Sequence, residues 1–174
     1  MKICNTKSSY DAVREGIEPL FPRLWRYCLV LTGDKERADD LAQAACLRAL
    51  EKADQFELGS HLDRWMFRMT QNLWVNELRK QAVRVGGGLA PIEEAELVDG
   101  KLDPEMSLLN REVLLGVMRL PEAQRTTVLL VYVEGYSYRD AAMVLNIPVG
   151  TVMSRLSVAR GKLVQEFRDE SEVG

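Results

Sequence analysis

The stretch from Tyr136 to Arg160 restricts the possible folds more than any other part of the chain. It reads as two short helices around a tight turn. Ser137 is placed to cap the first, and Asp140 stands at the returning position of a capping box. Ala141, Ala142 and Leu145 supply that helix with an apolar face. Asn146 to Pro148 break it, because proline disfavours helical backbone at Ile147 and fits the first turn of the next helix. Val152, Leu156, Ala159 and Leu163 then recur at spacings of three and four, which makes one buried helical face. The face opposite carries Thr151, Ser154, Ser157 and Lys162, with Arg155 and Arg160 on its flanks. A capped helix, a turn, and a second helix with small polar and basic outward residues describe a helix-turn-helix. Thr151, Ser154, Arg155, Ser157 and Arg160 are its candidate DNA contacts.

A formal charge of −3 on 174 residues argues at first against a nucleic-acid partner. The distribution answers the objection. Between 60 and 84, Arg64, Arg68, Arg79, Lys80 and Arg84 outnumber Asp63 and Glu77. Between 137 and 168, Arg139, Arg155, Arg160, Lys162 and Arg168 outnumber Asp140 and Glu166. The acids gather between these segments, at Glu93, Glu94, Glu96, Asp99 and Asp103. Two basic segments flank an acidic stretch, and the total charge hides them.

That acidic stretch also holds Gly86-Gly87-Gly88, Pro91 and Pro104, the composition of a linker. The expected organisation is all-α: a helical domain at 10–84, a flexible acidic linker at 85–104, and a helical domain at 105–170 that contains the helix-turn-helix. The length suits two small domains, and an apolar fraction of 47% permits a core in each. With such a linker the two domains are expected to move independently.

Within the first domain, Pro19 and Pro22 punctuate the start, and Leu20, Leu24, Tyr27, Cys28 and Leu31 repeat at helical spacing. Thr32-Gly33-Asp34 stops that helix, and Asp34 can cap the next. From Glu36 to Phe56, Ala38, Leu41, Ala42, Ala45, Ala49, Ala53 and Phe56 share one side. The other side is Asp40, Gln43, Ala44, Leu47, Glu51 and Asp54, acids around an outward leucine. After the loop to His61, Leu62, Trp65, Met66, Met69 and Leu73 form an apolar stripe, with Phe67, Trp74 and Leu78 beside it. The remaining face carries Arg64, Arg68, Gln71, Asn72 and Arg79, which can neutralise phosphates and meet base edges or serve as a solvated surface. Thr126 to Val133 could pass for a buried strand. It is read as helix because no partner strand is visible to satisfy its ladder.

Enzyme constellations are missing from the sequence: no P-loop, no nucleophile elbow, no HExxH. Cys4, Cys28, Cys46 and the lone His61 are too few and too scattered for a metal site, so neither metal nor cofactor is expected. No apolar run approaches the ~20 residues of a membrane helix, and Met1 to Lys7 lack the apolar core of a signal peptide, so a cytoplasmic protein is expected.

These residues resemble an extracytoplasmic-function sigma factor, the small two-domain class of the bacterial sigma-70 family, over about residues 17–168. Glu36-Arg37-Ala38-Asp39-Asp40-Leu41-Ala42-Gln43 is similar to the segment that docks on the clamp helices of RNA polymerase. Leu62 to Leu73 is similar to the segment that melts and reads the minus-ten element. Leu120-Pro121-Glu122-Ala123-Gln124-Arg125 and the helix-turn-helix resemble the domain that reads the minus-thirty-five element. The resemblance implies a transcription initiation factor rather than an enzyme, with core RNA polymerase, promoter DNA and an anti-sigma factor as partners. It implies polymerase contacts at Asp40, Gln43, Leu47 and Glu51, and minus-ten contacts at Arg64, Arg68, Gln71, Asn72 and Arg79. The loop from Phe56 to His61 lies where the family captures an unstacked base. The Arg37 to Glu51 stretch is similar to the alphaproteobacterial general-stress group, which implies a stress response. Ala44, Cys46 and Met153 depart from the family's usual residues. A sigma-like decoy for an anti-sigma factor, or a plain helix-turn-helix regulator, remain alternative readings at this point.

Overall fold

The structure is a computed structural model, and it describes residues 8–84 and 115–172. Helix α1 (Ser9–Thr32) begins at Ser8, whose hydroxyl accepts from the Asp11 amide. It runs through Pro19 and Pro22 rather than starting after them. Both prolines face solvent, where water can take up the carbonyls that lose their amide partners. Gly33, with φ of 70°, ends α1 by donating its N–H to the Leu29 carbonyl, a left-handed cap that favours glycine. Asp34 then caps α2 (Lys35–Glu51), accepting from the Arg37 amide at 2.7 Å. A single 3-10 turn at Ala53–Gln55 and a loop lead into α3 (Leu62–Arg84).

The alanine face of α2 (Ala38, Ala42, Ala45 and Ala49) is buried, and small side chains let α2 lie close against α1. Leu24, Tyr27, Cys28 and Leu31 of α1 complete that core with Met66, Phe67, Thr70 and Trp74 of α3. Tyr27 and Phe67 stack with ring centroids 4.7 Å apart. A fully buried ring such as Phe67 contributes about 3–5 kcal/mol against alanine. Burial pushes the Cys28 thiol up to about 12, so it stays a neutral packing group.

The second half starts with helical residues 115–119, followed by α4 (Glu122–Val128). The segment that could have passed for a strand is helical: α4 continues into one wide turn, Leu129–Val133, with the Glu134 N–H bonded to the Leu129 carbonyl. Helix α5 (Tyr138–Leu145) carries the expected capping box. Ser137 accepts from the Asp140 amide and donates to its carboxylate at 2.7 Å. Asn146 adopts the left-handed conformation that ends α5. Helix α6 (Val149–Glu172) follows at 103° to α5, within the range of a helix-turn-helix. Val152, Leu156 and Ala159 are buried and Leu163 packs against them. Among the described residues no single helix is long and apolar enough to cross a membrane.

The linker composition led to an expectation of separately moving halves; in this structure the described parts of the two are in contact. The two halves meet along α1, α3, α4 and α5. Arg125 of α4 is buried and donates to the carbonyls of Val30 and Leu31, the last turn of α1. Those carbonyls have no partner within their own helix, and the helix end carries partial negative charge, so a guanidinium suits the place. The linker at 85–104 lies outside the described residues; composition there could not reveal charges placed elsewhere to match across a seam.

Candidate nucleic-acid interface

Helix α2 holds Asp40, Gln43, Leu47 and Glu51 on one exposed strip, opposite the alanine face that fixes its rotation. Leu47 is 61% exposed, a large apolar side chain without cover, and Glu51 pairs with Arg48 at 3.2 Å.

The basic face of α3 divides. Arg68, Asn72 and Arg79 are exposed as expected. Gln71 is not: only 9% of it is exposed, and its side-chain oxygen accepts from the Tyr27 hydroxyl at 2.8 Å. Its helical position lies between the outward face and the Phe67–Trp74 side, and the buried hydroxyl requires an acceptor. Gln71 therefore leaves the DNA-contact set. Arg64 is half-buried, and its guanidinium lies 2.7 Å from the Asp140 carboxylate of α5.

Arg68 and Asn72 line an open pocket of about 420 Å³ with Trp65, Met69, Leu73 and Asn76 of α3, where Arg48, Lys52 and Gln55 meet them. Phe56 stands behind Trp65, their ring centroids 5.4 Å apart. An aromatic wall, three cations and amide groups suit a flat heterocycle bearing a phosphate. Sequence reasoning missed Arg48, Lys52 and Asn76. Their signal was available: Arg48 and Lys52 are four apart at the end of α2, and Asn76 is four beyond Asn72.

On α6, Ser154, Ser157 and Arg160 are exposed, while Thr151 and Arg155 are half-buried. Ser154 donates to the Thr151 carbonyl at 3.0 Å, which orients its hydroxyl along the helix. Glu122, at the start of α4, is held above the usual carboxylate range by burial, against the opposing pull of the Trp74 indole and the charges of Arg125 and Arg155. Met153 and Val158 add apolar surface beside the polar residues. The first turns of α6 thus offer hydroxyls, a guanidinium and methyl-contacting groups, the set that reads base edges in a major groove.

Family models match both halves: "Sigma-70 region 2" over residues 17–84 and "Sigma-70, region 4" over residues 110–163. The chain is 35% identical over 153 residues to the ECF RNA polymerase sigma factor EcfG of Rhodopseudomonas palustris, covering 88% of this chain and 83% of that one. It is 27% identical to the ECF RNA polymerase sigma factor SigW of Bacillus subtilis, covering 94% and 92%. Among solved structures, the sigma factor RpoE of Bartonella quintana, crystallised with the anti-sigma factor NepR, superposes with a TM-score of 0.75 at 28% identity, covering 89% and 96%.

Proposed function

The chain belongs to the extracytoplasmic-function sigma factors of the sigma-70 family, and from that premise we propose that it reads promoters at two points through the residues described above. Asp40, Gln43, Leu47 and Glu51 dock it on core RNA polymerase. Arg64, Arg68, Asn72 and Arg79 contact the minus-ten element, and the cavity between α2 and α3 takes up one unstacked base of the opened strand. Thr151, Ser154, Arg155, Ser157 and Arg160 enter the major groove at the minus-thirty-five element. Residues 10–84 and 105–170 act as the two modules and 85–104 as the tether. The protein is a cytoplasmic binding factor without chemistry of its own. It serves a stress response, and it has an anti-sigma partner, as the Bartonella sigma factor crystallised with NepR does.

The observation that carries this reading is the pocket lined by Trp65, Arg48, Arg68 and Asn72, whose α2 side adjoins the exposed Leu47 strip of the same helix. The pocket has room for an unstacked base together with its sugar and phosphate. Each module alone offers few phosphate contacts, so the free chain binds duplex weakly. Polymerase fixes both modules at promoter spacing and raises the effective concentration of the second contact.

Capture of sheared genomic DNA, followed by sequencing, tests this. With core polymerase the chain should enrich discrete fragments, and alone it should enrich none. Enrichment of palindromic fragments without polymerase would support a plain dimeric regulator instead.

A further inference from the structure

We propose that Met153 and Val158 of α6 read the C5-methyl groups of thymines, and so select A·T pairs at two positions of the minus-thirty-five element, resting on α6 as the helix that reads that element. Met153 is 55% exposed and Val158 50%. The core side of the same helix is already filled by Val152, Leu156 and Ala159. Two large apolar side chains thus stand in solvent among the residues placed in the groove.

Five residues apart, the two lie roughly 140° apart around α6 and about 7.5 Å apart along it. Between them runs an exposed row of small residues, Gly150, Ser154, Ser157 and Gly161. A Cβ added at either glycine would meet no atom within 4 Å. Ser154 donates to the Thr151 carbonyl, which engages its proton within the helix. The outermost ridge of α6 is therefore low, and Met153 and Val158 form its two shoulders. A low ridge lets the helix axis approach the floor of the groove, which brings both shoulders toward base edges. Their offset along the axis sets them over different base pairs.

The chemistry of the shoulders selects the partner. A thioether and an isopropyl group carry no donor. Against a phosphate or a polar base edge they displace water without replacing its hydrogen bonds. In the major groove thymine alone of the four bases presents a methyl group. A guanine carbonyl or a cytosine amine under either shoulder would lose its water and gain no partner, so the residues that accept A·T pairs also reject G·C pairs. Phosphates are left to Arg160 and Lys162, exposed cations of the same helix.

The test begins with core polymerase and the full chain selecting duplexes from a promoter library randomised across the upstream block. The selected duplex is then remade with deoxyuridine at each thymine of that block in turn, which removes the methyl and keeps every hydrogen-bonding group. Equilibrium competition should show a loss of about three- to fivefold at one position for each residue, the worth of one buried methyl. Met153→Ala should abolish the loss at the first position and Val158→Ala at the second. Helix content by circular dichroism should stay unchanged, because both side chains are exposed. At the same positions 5-methylcytosine should bind better than cytosine, which separates the methyl from the O4 of thymine. Uracil bound as tightly as thymine throughout, or losses that persist in both variants, would overturn methyl reading. So would 5-methylcytosine bound no better than cytosine. A single sensitive position would strike whichever residue leaves it unchanged. If no upstream block is selected at all, reading by α6 itself fails, and methyl reading with it.

Discussion

Replacing Gln71 with alanine separates a core role from a DNA role at a residue that the sequence placed on the outer face and the structure buries. The Tyr27 hydroxyl is fully buried, and Gln71 is its acceptor. Burial, with smaller contributions from Cys28, Glu122 and Tyr136, pushes the Tyr27 phenol well above its ordinary range, so it remains a neutral donor at every working pH. Alanine leaves that donor without a partner, which costs about 1–3 kcal/mol in desolvation, and some packing is lost as well. For a chain this long each kcal/mol lowers Tm by about 2–4 °C, so a fall of roughly 2–12 °C is expected. Promoter affinity, measured with polymerase well below Tm, should stay at the wild-type level. The double variant Tyr27→Phe with Gln71→Leu removes donor and acceptor together and should recover most of the loss, because the penalty lies in the orphaned group. Scanning calorimetry on the wild type, Tyr27→Phe, Gln71→Leu and their double variant closes a cycle and gives the coupling directly. An unchanged Tm for Gln71→Ala, together with weakened promoter binding, would refute the reasoning and return Gln71 to the DNA face.

Arg155→Ala should reduce promoter-specific transcription by the equivalent of about 1–3 kcal/mol if the guanidinium pairs with a base, with the loss confined to particular minus-thirty-five sequences. A uniform loss with a shallower salt dependence would assign Arg155 to phosphate instead. Leu47→Asp should weaken co-purification with core polymerase by on the order of 2 kcal/mol while leaving helix content intact, because Leu47 is largely exposed. Hydrogen bonds from Tyr136, the Arg64 amide and Arg23 outweigh burial and hold the Asp63 carboxyl below its usual value. Its contribution to the contact between the halves is therefore complete above the ordinary aspartate range and is lost as pH falls through the lowered value. Asp63→Asn should flatten that acid limb in a fluorescence titration of interdomain distance, and a limb identical to wild type would exclude Asp63 as its source.

Local signals in the sequence carried most of the fold. Ser137 with Asp140, Gly33 with Asp34, and Asn146 before Pro148 each state a helix end in neighbouring residues, and each appears in the structure as read. The face of Val152, Leu156 and Ala159 was equally legible, because helical periodicity reports burial directly. The proline pair lies inside α1, since an exposed helix side tolerates proline that an interior would reject. Gln71 was misread because its place on the helical wheel borders both faces, and only the position of Tyr27, forty-four residues earlier, decides between them. The seam was illegible for the same reason. Glu134 with Arg23 and Asp140 with Arg64 are pairings between distant parts of the chain, and periodicity within one helix contains no information about them. Arg48 and Lys52 could be seen as an i, i+4 pair, but their meeting with Arg68 and Asn72 depends on how α2 packs on α3.

The most direct test of the central claim is transcription in vitro from sheared genomic DNA by core polymerase, with and without the chain, with the 5′ ends of the transcripts sequenced. The account predicts new start sites that appear only when the chain is added and share two conserved blocks, about 10 and 35 base pairs upstream. It also predicts that changing Trp65 or Asn72 alters the preferred upstream block nearer the start, and that changing Arg155 alters the farther one. Start sites identical to those of core polymerase alone, from a chain that is folded and pure, would contradict it.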